Sequence, residues 1–273
     1  MTNLGSPLST DAGRACVAAA RAGAEVLLDA HGRRSGQGLR VSRKGRINLV
    51  TEVDERAEAI VVETLQRLAP GVPILAEEGG ETAGDRADCR FIVDPLDGTT
   101  NFTHGYPVFC VSIAFEAAGQ VVSGAVLDPV RSELFTAEAG RGAWLGSRRL
   151  RTSVETDLDA ALLATGFPYT RAAMEEALEL FAHVLLRVRA VRRAGSAALD
   201  LCSVAAGRLD GFWEETLRAW DTAAGELIVR EAGGRVTDFA GKAFRNGGPN
   251  IAATNGPLHP ALLAVLGRGP EPG

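Results

Sequence analysis

Two aspartates lie three positions apart directly after an apolar run. Residues 91–93 are Phe-Ile-Val, which predicts a buried strand, and Asp94 and Asp97 follow it. Pro95 lacks a backbone N–H and keeps the preceding residue extended, so we expect the strand to end there. Carboxylates at the end of a strand are suited to binding a hard metal ion, although an acidic turn has the same sequence pattern.

A candidate phosphate site follows the second aspartate. Gly98 and Thr99 allow a tight turn into the start of a helix, where backbone N–H groups have no partner within the helix. Such N–H groups bind phosphate well. This segment therefore combines metal-type ligands with an anion site.

Acidic residues occur in similar positions at two other places. Glu77 and Glu78 follow the apolar run 74–76, and Asp221 lies near the predicted start of a helix. Taken singly, the glutamates are most typical of a solvated turn, and Asp221 of a helix N-cap. Their chemical interest depends on whether the fold brings them together.

Convergence of these carboxylates would require cations. Two carboxylates about 4 Å apart repel each other by about 4 kcal/mol at an effective dielectric constant of about 20. Oxygen ligands without Cys or His select Mg²⁺, with Mn²⁺ as an alternative. Ions of this kind beside a phosphate site favour phosphoryl transfer to a metal-activated water.

Several other chemistries are disfavoured by the same sequence. The spacing D-x-x-D-G-T differs from the D-x-D-x-T of phosphatases that form an aspartyl-phosphate. The sequence contains neither a Rossmann G-x-G-x-x-G nor a Walker loop. The four cysteines are far apart and form no C-x-x-C pair, which argues against a zinc site and against a disulfide framework.

The hydrophobic patterns predict a mixed α/β or α+β chain. Helices are predicted over residues 10–31, 51–68, 172–187, 196–206 and 222–232. Strands are predicted over 73–76, 91–93, 108–116, 121–128, 133–137, 162–165, 191–193, 210–214 and 235–238, of which the run 108–137 forms an antiparallel meander. The intervening stretch 32–46 is predicted to be a loop or loose hairpin.

The pattern of elements changes near residue 150. We expect residues 1–150 to form an N-terminal α+β half that carries the metal and phosphate motifs. Residues 151–273 would form a C-terminal α/β half that completes the active site, and the two halves would make one compact unit.

Composition limits the functional classes. The chain has 273 residues, of which 46% are hydrophobic, and a net charge of −5, which excludes global disorder. No secretory pattern begins the sequence, and the longest uncharged stretch contains three prolines, so we expect a cytoplasmic protein without a membrane span. The slight excess of acidic residues argues against generic nucleic-acid binding.

The motifs taken together resemble those of the inositol monophosphatase family of metal-dependent phosphatases. The resemblance covers about residues 44–263. It rests on N-L-V-T-E-V-D at 48–54, E-E at 77–78, D-P-L-D-G-T-T-N-F at 94–102, G-S-A at 195–197 and W-D-T-A-A-G at 220–225. It implies a layered α-β-α-β-α fold, a homodimer, and Mg²⁺-dependent hydrolysis of small phosphate monoesters.

The resemblance also implies roles for individual residues. The metal ligands, for two to three ions, would be Glu77, Asp94, the Leu96 carbonyl, Asp97 and Asp221. Thr99, supported by Asp54, would help Glu77 to orient and deprotonate the attacking water. The backbone N–H groups of Gly98 and Thr99 would hold the phosphate.

Substrate recognition, by the same resemblance, would involve Asp97, the backbone of Ala197, Glu214 and Asp221, with Lys44 and Glu78 in supporting roles. Without the resemblance, Lys44 is typical of a solvated loop and Glu214 of a strand surface. A carboxylate that accepts hydroxyl hydrogen bonds favours a polyol, and inositol 1-phosphate is the first candidate.

Other substrates and roles stay open at this point. Histidinol phosphate, a cationic amino alcohol ester, also needs an acidic partner, and fructose 1,6-bisphosphate and 3′-phosphoadenosine 5′-phosphate are substrates of related enzymes. The alternative hypothesis is that the protein is not primarily an enzyme and acts as a binding protein in transcription or RNA metabolism.

Overall fold

The computed structural model describes residues 8–32, 41–43, 49–168 and 170–267. Within them the helices are α1 (Asp11–Gly32), α2 (Glu52–Leu68), α3 (Thr99–His104), α4 (Arg171–Leu185), α5 (Ala197–Ala205), α6 (Ala219–Glu231) and α7 (His259–Leu266). The strands are β1 (Val41–Arg43), β2 (Leu49–Thr51), β3 (Ile74–Ala76), β4 (Gly80–Thr82), β5 (Cys89–Asp97), β6 (Cys110–Ala117), β7 (Gln120–Asp128), β8 (Glu133–Glu138), β9 (Gly142–Leu145), β10 (Arg148–Arg149), β11 (Leu162–Thr165), β12 (Ala190–Arg192), β13 (Gly211–Glu215), β14 (Arg235–Thr237) and β15 (Asn250–Thr254).

Helices and the two main sheets alternate in five layers, and β1 and β2 form a separate two-stranded sheet. The larger sheet has the strand order β10-β9-β8-β7-β6-β5-β3-β4, and the smaller has the order β12-β11-β13-β15-β14. Helices α1 and α2 pack on one face of the larger sheet, and α5 and α6 fill the space between the two sheets. Helices α4 and α7 cover the outer face of the smaller sheet. The predicted mixed α/β fold is confirmed.

The central strands are apolar because both of their faces are covered. The buried runs of β5, β6 and β7 include Phe91, Val111, Ile113 and Val126, none of them measurably exposed. Residues of one parity face α1 and α2, and those of the other face α5 and α6. A sheet between two helical layers favours such continuous hydrophobic runs. The predicted meander is confirmed as β6, β7 and β8, which pair antiparallel in chain order.

The prediction that the strand ends at Pro95 is wrong. Strand β5 continues to Asp97, and its pairing with β6 shifts between the pairs Asp94–Ser112 and Asp97–Cys110. Two residues of β5 oppose a single residue of β6 in this bulge, so the missing N–H of Pro95 interrupts no regular ladder bond. The bulge leaves both aspartates at the same end of one strand.

Two other expectations need correction. Helix α6 begins at Ala219 rather than at residue 222, so Asp221 lies in its first turn and not before it. The sequence patterns also missed β15 and α7, which are short and rich in alanine and leucine. The predicted loop or hairpin at 32–46 falls partly outside the described residues; its described portion, β1, pairs antiparallel with β2.

Among the described helices, none is both long and apolar enough to cross a membrane.

Candidate active site

Most of the acidic residues singled out in the sequence line one cavity of about 360 Å³ at the end of the larger sheet. The predicted site residues in its wall are Glu77, Asp94, Leu96, Asp97, Gly98, Thr99, Ala197, Glu214 and Asp221. Strands β3 and β5 run parallel as neighbours, so the residues that follow them meet at the same edge. Asp221 reaches this edge from the first turn of α6. Residues almost 150 positions apart in the sequence are thereby brought together.

Backbone and hydroxyl groups fix one oxygen of each aspartate. Asp94 Oδ1 accepts a hydrogen bond from the N–H of Leu96 at 3.0 Å. Asp97 Oδ2 accepts from the hydroxyl of Ser196 at 2.6 Å and from the N–H of Ala198 at 2.8 Å. Both bonds to Asp97 come from the start of α5, so this carboxylate connects the end of β5 to the start of α5. Asp94 and Asp97 are buried.

The third aspartate is held in a similar way. Asp221 Oδ2 accepts a hydrogen bond of 2.6 Å from the backbone N–H of Arg218, the residue that precedes α6. The N–H of a residue just before a helix has no partner within the helix. Its bond to Asp221 therefore fixes this carboxylate at the start of α6.

Burial and mutual repulsion raise the pKa values of these acids. The pKa of Asp94 lies well above its usual range, first because the group is buried and then because Glu77, Asp97 and Asp221 carry like charges. The pKa of Asp97 is also raised by burial, although its hydrogen bonds from Ser196 and from the start of α5 oppose the shift. Burial and the charge of Asp97 raise the pKa of Asp221 to about 7. Several carboxyl groups thus share a space in which their negative charges destabilise one another.

The donor set fits a hard divalent cation. The converging side chains offer oxygen only, and burial keeps the pKa of the neighbouring Cys110 thiol well above its usual value, so this sulfur stays protonated. Among the described residues, no group of three or more His, Cys, Asp or Glu side chains is arranged so that it could hold a metal ion without some movement. The carboxylates can repel one another without lying within coordination distance of a common point, because charge repulsion acts over a longer range than metal coordination. The like charges that help to raise the pKa values of Asp94 and Asp221 come from other acids of this group.

A threonine hydroxyl connects the acidic cavity to α2. Thr99 Oγ1 lies 3.0 Å from Asp54 Oδ1 and 3.1 Å from the carbonyl oxygen of Leu96, and its single proton can be donated to either. Asp54 is buried in the first turn of α2, behind the cavity wall. The sequence-predicted partnership of Thr99 and Asp54 is therefore present as a contact between side chains 45 positions apart.

Glycine is required at the turn before Thr99. Gly98 has φ of 99°, in the left-handed region, and a Cβ atom there would lie 2.9 Å from the carbonyl oxygen of Val108. The N–H groups of this turn precede α3 and border the same cavity.

Glu58 is a positioning residue that the sequence did not indicate. Its carboxylate accepts hydrogen bonds from the N–H groups of Glu78 at 2.8 Å and of Gly79 at 2.6 Å. These bonds fix the turn after β3 and thus the backbone beside Glu77. The available signal was that Glu58 lies four residues after Asp54, on the same buried face of α2.

The far end of the cavity contains a second acidic group. Glu214 of β13 places its carboxylate directly over Gly166, where a Cβ atom would come within 2.0 Å of Oε1. Asp200 of α5 also lines the cavity. Lys44, by contrast, lies outside the described residues. Glu78 does not line the cavity but forms the turn held by Glu58.

A model of the inositol monophosphatase family matches residues 11–269. The chain belongs to the inositol monophosphatase family. Since this is a family of phosphatases, the prediction of a phosphoric monoester hydrolase is confirmed.

Similar proteins carry two kinds of name. The chain is 46% identical over 231 residues to the inositol-1-monophosphatase of Mesorhizobium japonicum, covering 84% of this chain and 87% of that protein. It is also 46% identical over 226 residues to the Nus factor SuhB of Escherichia coli, covering 82% and 85%. Among solved structures, suppressor protein SuhB of Bartonella henselae superimposes with a TM-score of 0.89 at 43% identity, over 95% of this chain and all of that one. The inositol monophosphatase of Anabaena gives 0.84 at 37% identity, over 94% and 96%.

Proposed function

We propose that this family member is a Mg²⁺-dependent phosphatase that hydrolyses a small phosphate monoester, with inositol 1-phosphate as the first candidate substrate. The observation that carries the proposal is the convergence of Glu77, Asp94, Asp97 and Asp221 on one cavity, where burial and repulsion raise the pKa values of all three aspartates. Such a group is stabilised by divalent cations, which compensate the negative charges.

The proposed ligands are the four carboxylates and the Leu96 carbonyl, for two to three ions, with Mn²⁺ able to replace Mg²⁺. Bound divalent ions would polarise the phosphoryl oxygens and lower the pKa of a bound water. Asp94 and Asp97 belong to the rigid end of β5, so their placement does not depend on a loop.

The chain's own groups would orient the water and the phosphate. Because the hydroxyl of Thr99 donates its proton within the wall, its lone pairs are left to accept a hydrogen bond from the attacking water. Glu77 would accept the proton that this water loses. The N–H groups of Gly98 and Thr99 would hold the phosphate oxygens.

The alcohol portion of the substrate would lie at the end of the cavity that contains Glu214. Its carboxylate and those of Asp97 and Asp221 can accept hydrogen bonds from hydroxyl groups, and the backbone of Ala197 adds a further polar contact. Lys44 and Glu78 keep their proposed supporting roles, Glu78 through the turn that holds Glu77.

Histidinol phosphate, fructose 1,6-bisphosphate and 3′-phosphoadenosine 5′-phosphate are the alternative substrates. A role in transcription or RNA metabolism is the non-enzymatic alternative, and the Nus factor name of a relative favours it. The net charge of −5 argues against direct contact with RNA.

We further propose that the chain works as a cytoplasmic homodimer in which residues 1–150 and 151–273 form one compact unit. The core between the two sheets supports the last point, since it joins Ile92 and Phe135 of the larger sheet to Phe212 and Ile251 of the smaller.

Phosphate release tests the proposal. We expect kcat/KM on inositol 1-phosphate to exceed that on the three alternatives, and activity to vanish with a chelator and return with Mg²⁺.

The variant Asp94→Asn should lose several orders of magnitude in kcat. An Asp159→Asn control changes an exposed aspartate outside the cavity and should stay active. A cellular function that survives Asp94→Asn would favour the non-enzymatic alternative.

A further inference from the structure

Arg193 lies at the mouth of the cavity with its charge uncompensated by a direct partner. It follows β12, is exposed, and lines the cavity together with Glu214. Its guanidinium lies 5.8 Å from the centre of the Phe167 ring. Among the residues that the structure describes, none forms a hydrogen bond or an ion pair with this guanidinium.

The arginine and the glutamate lie at the same end of the site. Glu214 rests on Gly166, and the adjacent Phe167 lies beneath Arg193. Gly195, with φ of 90°, leaves room for the guanidinium, because a Cβ atom there would lie 2.8 Å from Arg193 Nη1.

The charge of Arg193 acts on both acids near this end. Burial raises the pKa values of Glu214 and Asp200, and the positive charge of Arg193 lowers each of them. Within the described parts of the chain no carboxylate lies within 4.0 Å of this guanidinium, so it can interact with a molecule bound in the cavity that it lines. A second exposed arginine, Arg218, lines the same cavity.

We propose that Arg193 is a specificity-determining residue, whose positive charge at the alcohol end of the site disfavours phosphate esters of cationic amino alcohols and admits those of neutral polyols. This inference rests on the proposed phosphatase function and deepens it. A substrate ammonium placed near Glu214 must also approach Arg193, whose charge acts on Glu214 in the same cavity, and two positive charges repel each other. Among the candidate substrates, the charge disfavours histidinol phosphate.

The test uses two substrates that differ in a single group. Glucose 6-phosphate and glucosamine 6-phosphate share a ring, and an ammonium replaces one hydroxyl in the second. The ratio of kcat/KM for the amine to that for the polyol should rise roughly three- to tenfold in Arg193→Gln. It should return towards the wild-type value in Arg193→Lys, which keeps the charge.

Arg192 provides a matched control. It precedes Arg193, is also exposed, does not line the cavity, and donates from Nη1 to the carbonyl of Val191. Arg192→Gln makes the same change in net charge and should leave the ratio unaltered. In the wild type, raising the salt concentration from about 0.05 M to about 0.5 M should raise the ratio as well, since salt screens an exposed charge.

A ratio that is the same in wild type and Arg193→Gln, with glucose 6-phosphate hydrolysed by both, would overturn the inference and leave the proposed function standing. So would an equal change in Arg192→Gln, or a wild-type ratio insensitive to salt. If the Mg²⁺-loaded wild type releases phosphate from no polyol ester, including inositol 1-phosphate, the proposed function fails and the inference with it.

Discussion

Gly166→Ala should impair substrate recognition without unfolding the protein. A Cβ atom at this position would lie 2.0 Å from Glu214 Oε1 and 2.1 Å from both Cδ and Oε2. Gly166 does not have a positive φ, so alanine fits the backbone. The clash must therefore be relieved by the end of the glutamate side chain.

The size of the effect follows from this distance. Ordinary contact requires about 3.4 Å, so the carboxylate must retreat by about 1.4 Å from its observed place. A hydrogen bond between a substrate hydroxyl and this carboxyl group is worth about 0.5–1.5 kcal/mol and is lost over such a shift. We expect kcat/KM for inositol 1-phosphate to fall by roughly 2- to 10-fold.

A double-mutant cycle with Glu214→Ala isolates the cause. If Gly166→Ala acts through the glutamate, adding it to Glu214→Ala should cost nothing further. Phosphate release from p-nitrophenyl phosphate, which has no polyol hydroxyls, should change little in all three variants. Gly32→Ala is a matched control, because a Cβ atom there has no neighbour within 4 Å. Additive losses, or equal losses on both substrates, would refute this reasoning.

Three further predictions concern other parts of the molecule. Without metal, Asp94→Asn should raise the free energy of unfolding by about 1–2 kcal/mol, and with it Tm, because the repulsion between the carboxylates is relieved. A lower Tm would contradict this. Glu58→Gln should lower kcat about tenfold, because it weakens the hydrogen bonds that hold the turn beside Glu77. Glu55→Gln, on the exposed face of α2, should leave kcat unchanged. Equal effects of the two substitutions on kcat would contradict this role of Glu58. Burial, assisted by the charge of Arg235, lowers the pKa of His259 to about 4. Below about pH 6.5 the histidine is therefore protonated in the unfolded chain but not in the folded protein. The free energy of unfolding, measured with urea, should fall by up to about 3 kcal/mol between pH 6.5 and pH 4, and it should fall less steeply in His259→Gln. The same dependence on pH in both proteins would exclude this explanation.

Local sequence patterns identified most of the candidate site. Asp94, Asp97 and Asp221 are each recognisable because a buried strand or a helix start places a carboxylate at its end. The family resemblance supplied the pairing of these segments, which no local pattern contains. It also supplied the contact between Thr99 and Asp54, since a hydrogen bond across 45 positions has no local signature.

The missed features share a dependence on tertiary structure. Pro95 has the properties of a strand terminator, and only the opposing strand β6 shows that a bulge accommodates it. Glu58 looks like any helix glutamate until the turn after β3 packs against it. Arg193 stands beside another exposed arginine in the sequence, and only the fold separates the one that lines the cavity from the one that does not.

We propose that Glu77, Asp94, Asp97 and Asp221 share a divalent cation site. Calorimetric titration of the protein with Mg²⁺ at pH 7 tests this most directly. Because the pKa of Asp221 is about 7 and those of Asp94 and Asp97 are raised, binding should release protons, seen as a dependence of the heat on the buffer's ionisation enthalpy. Fewer protons should be released at higher pH, and Asp94→Asn should weaken binding while Asp159→Asn does not. Absence of Mg²⁺ binding, or binding that is unchanged in Asp94→Asn and releases no protons, would contradict the account.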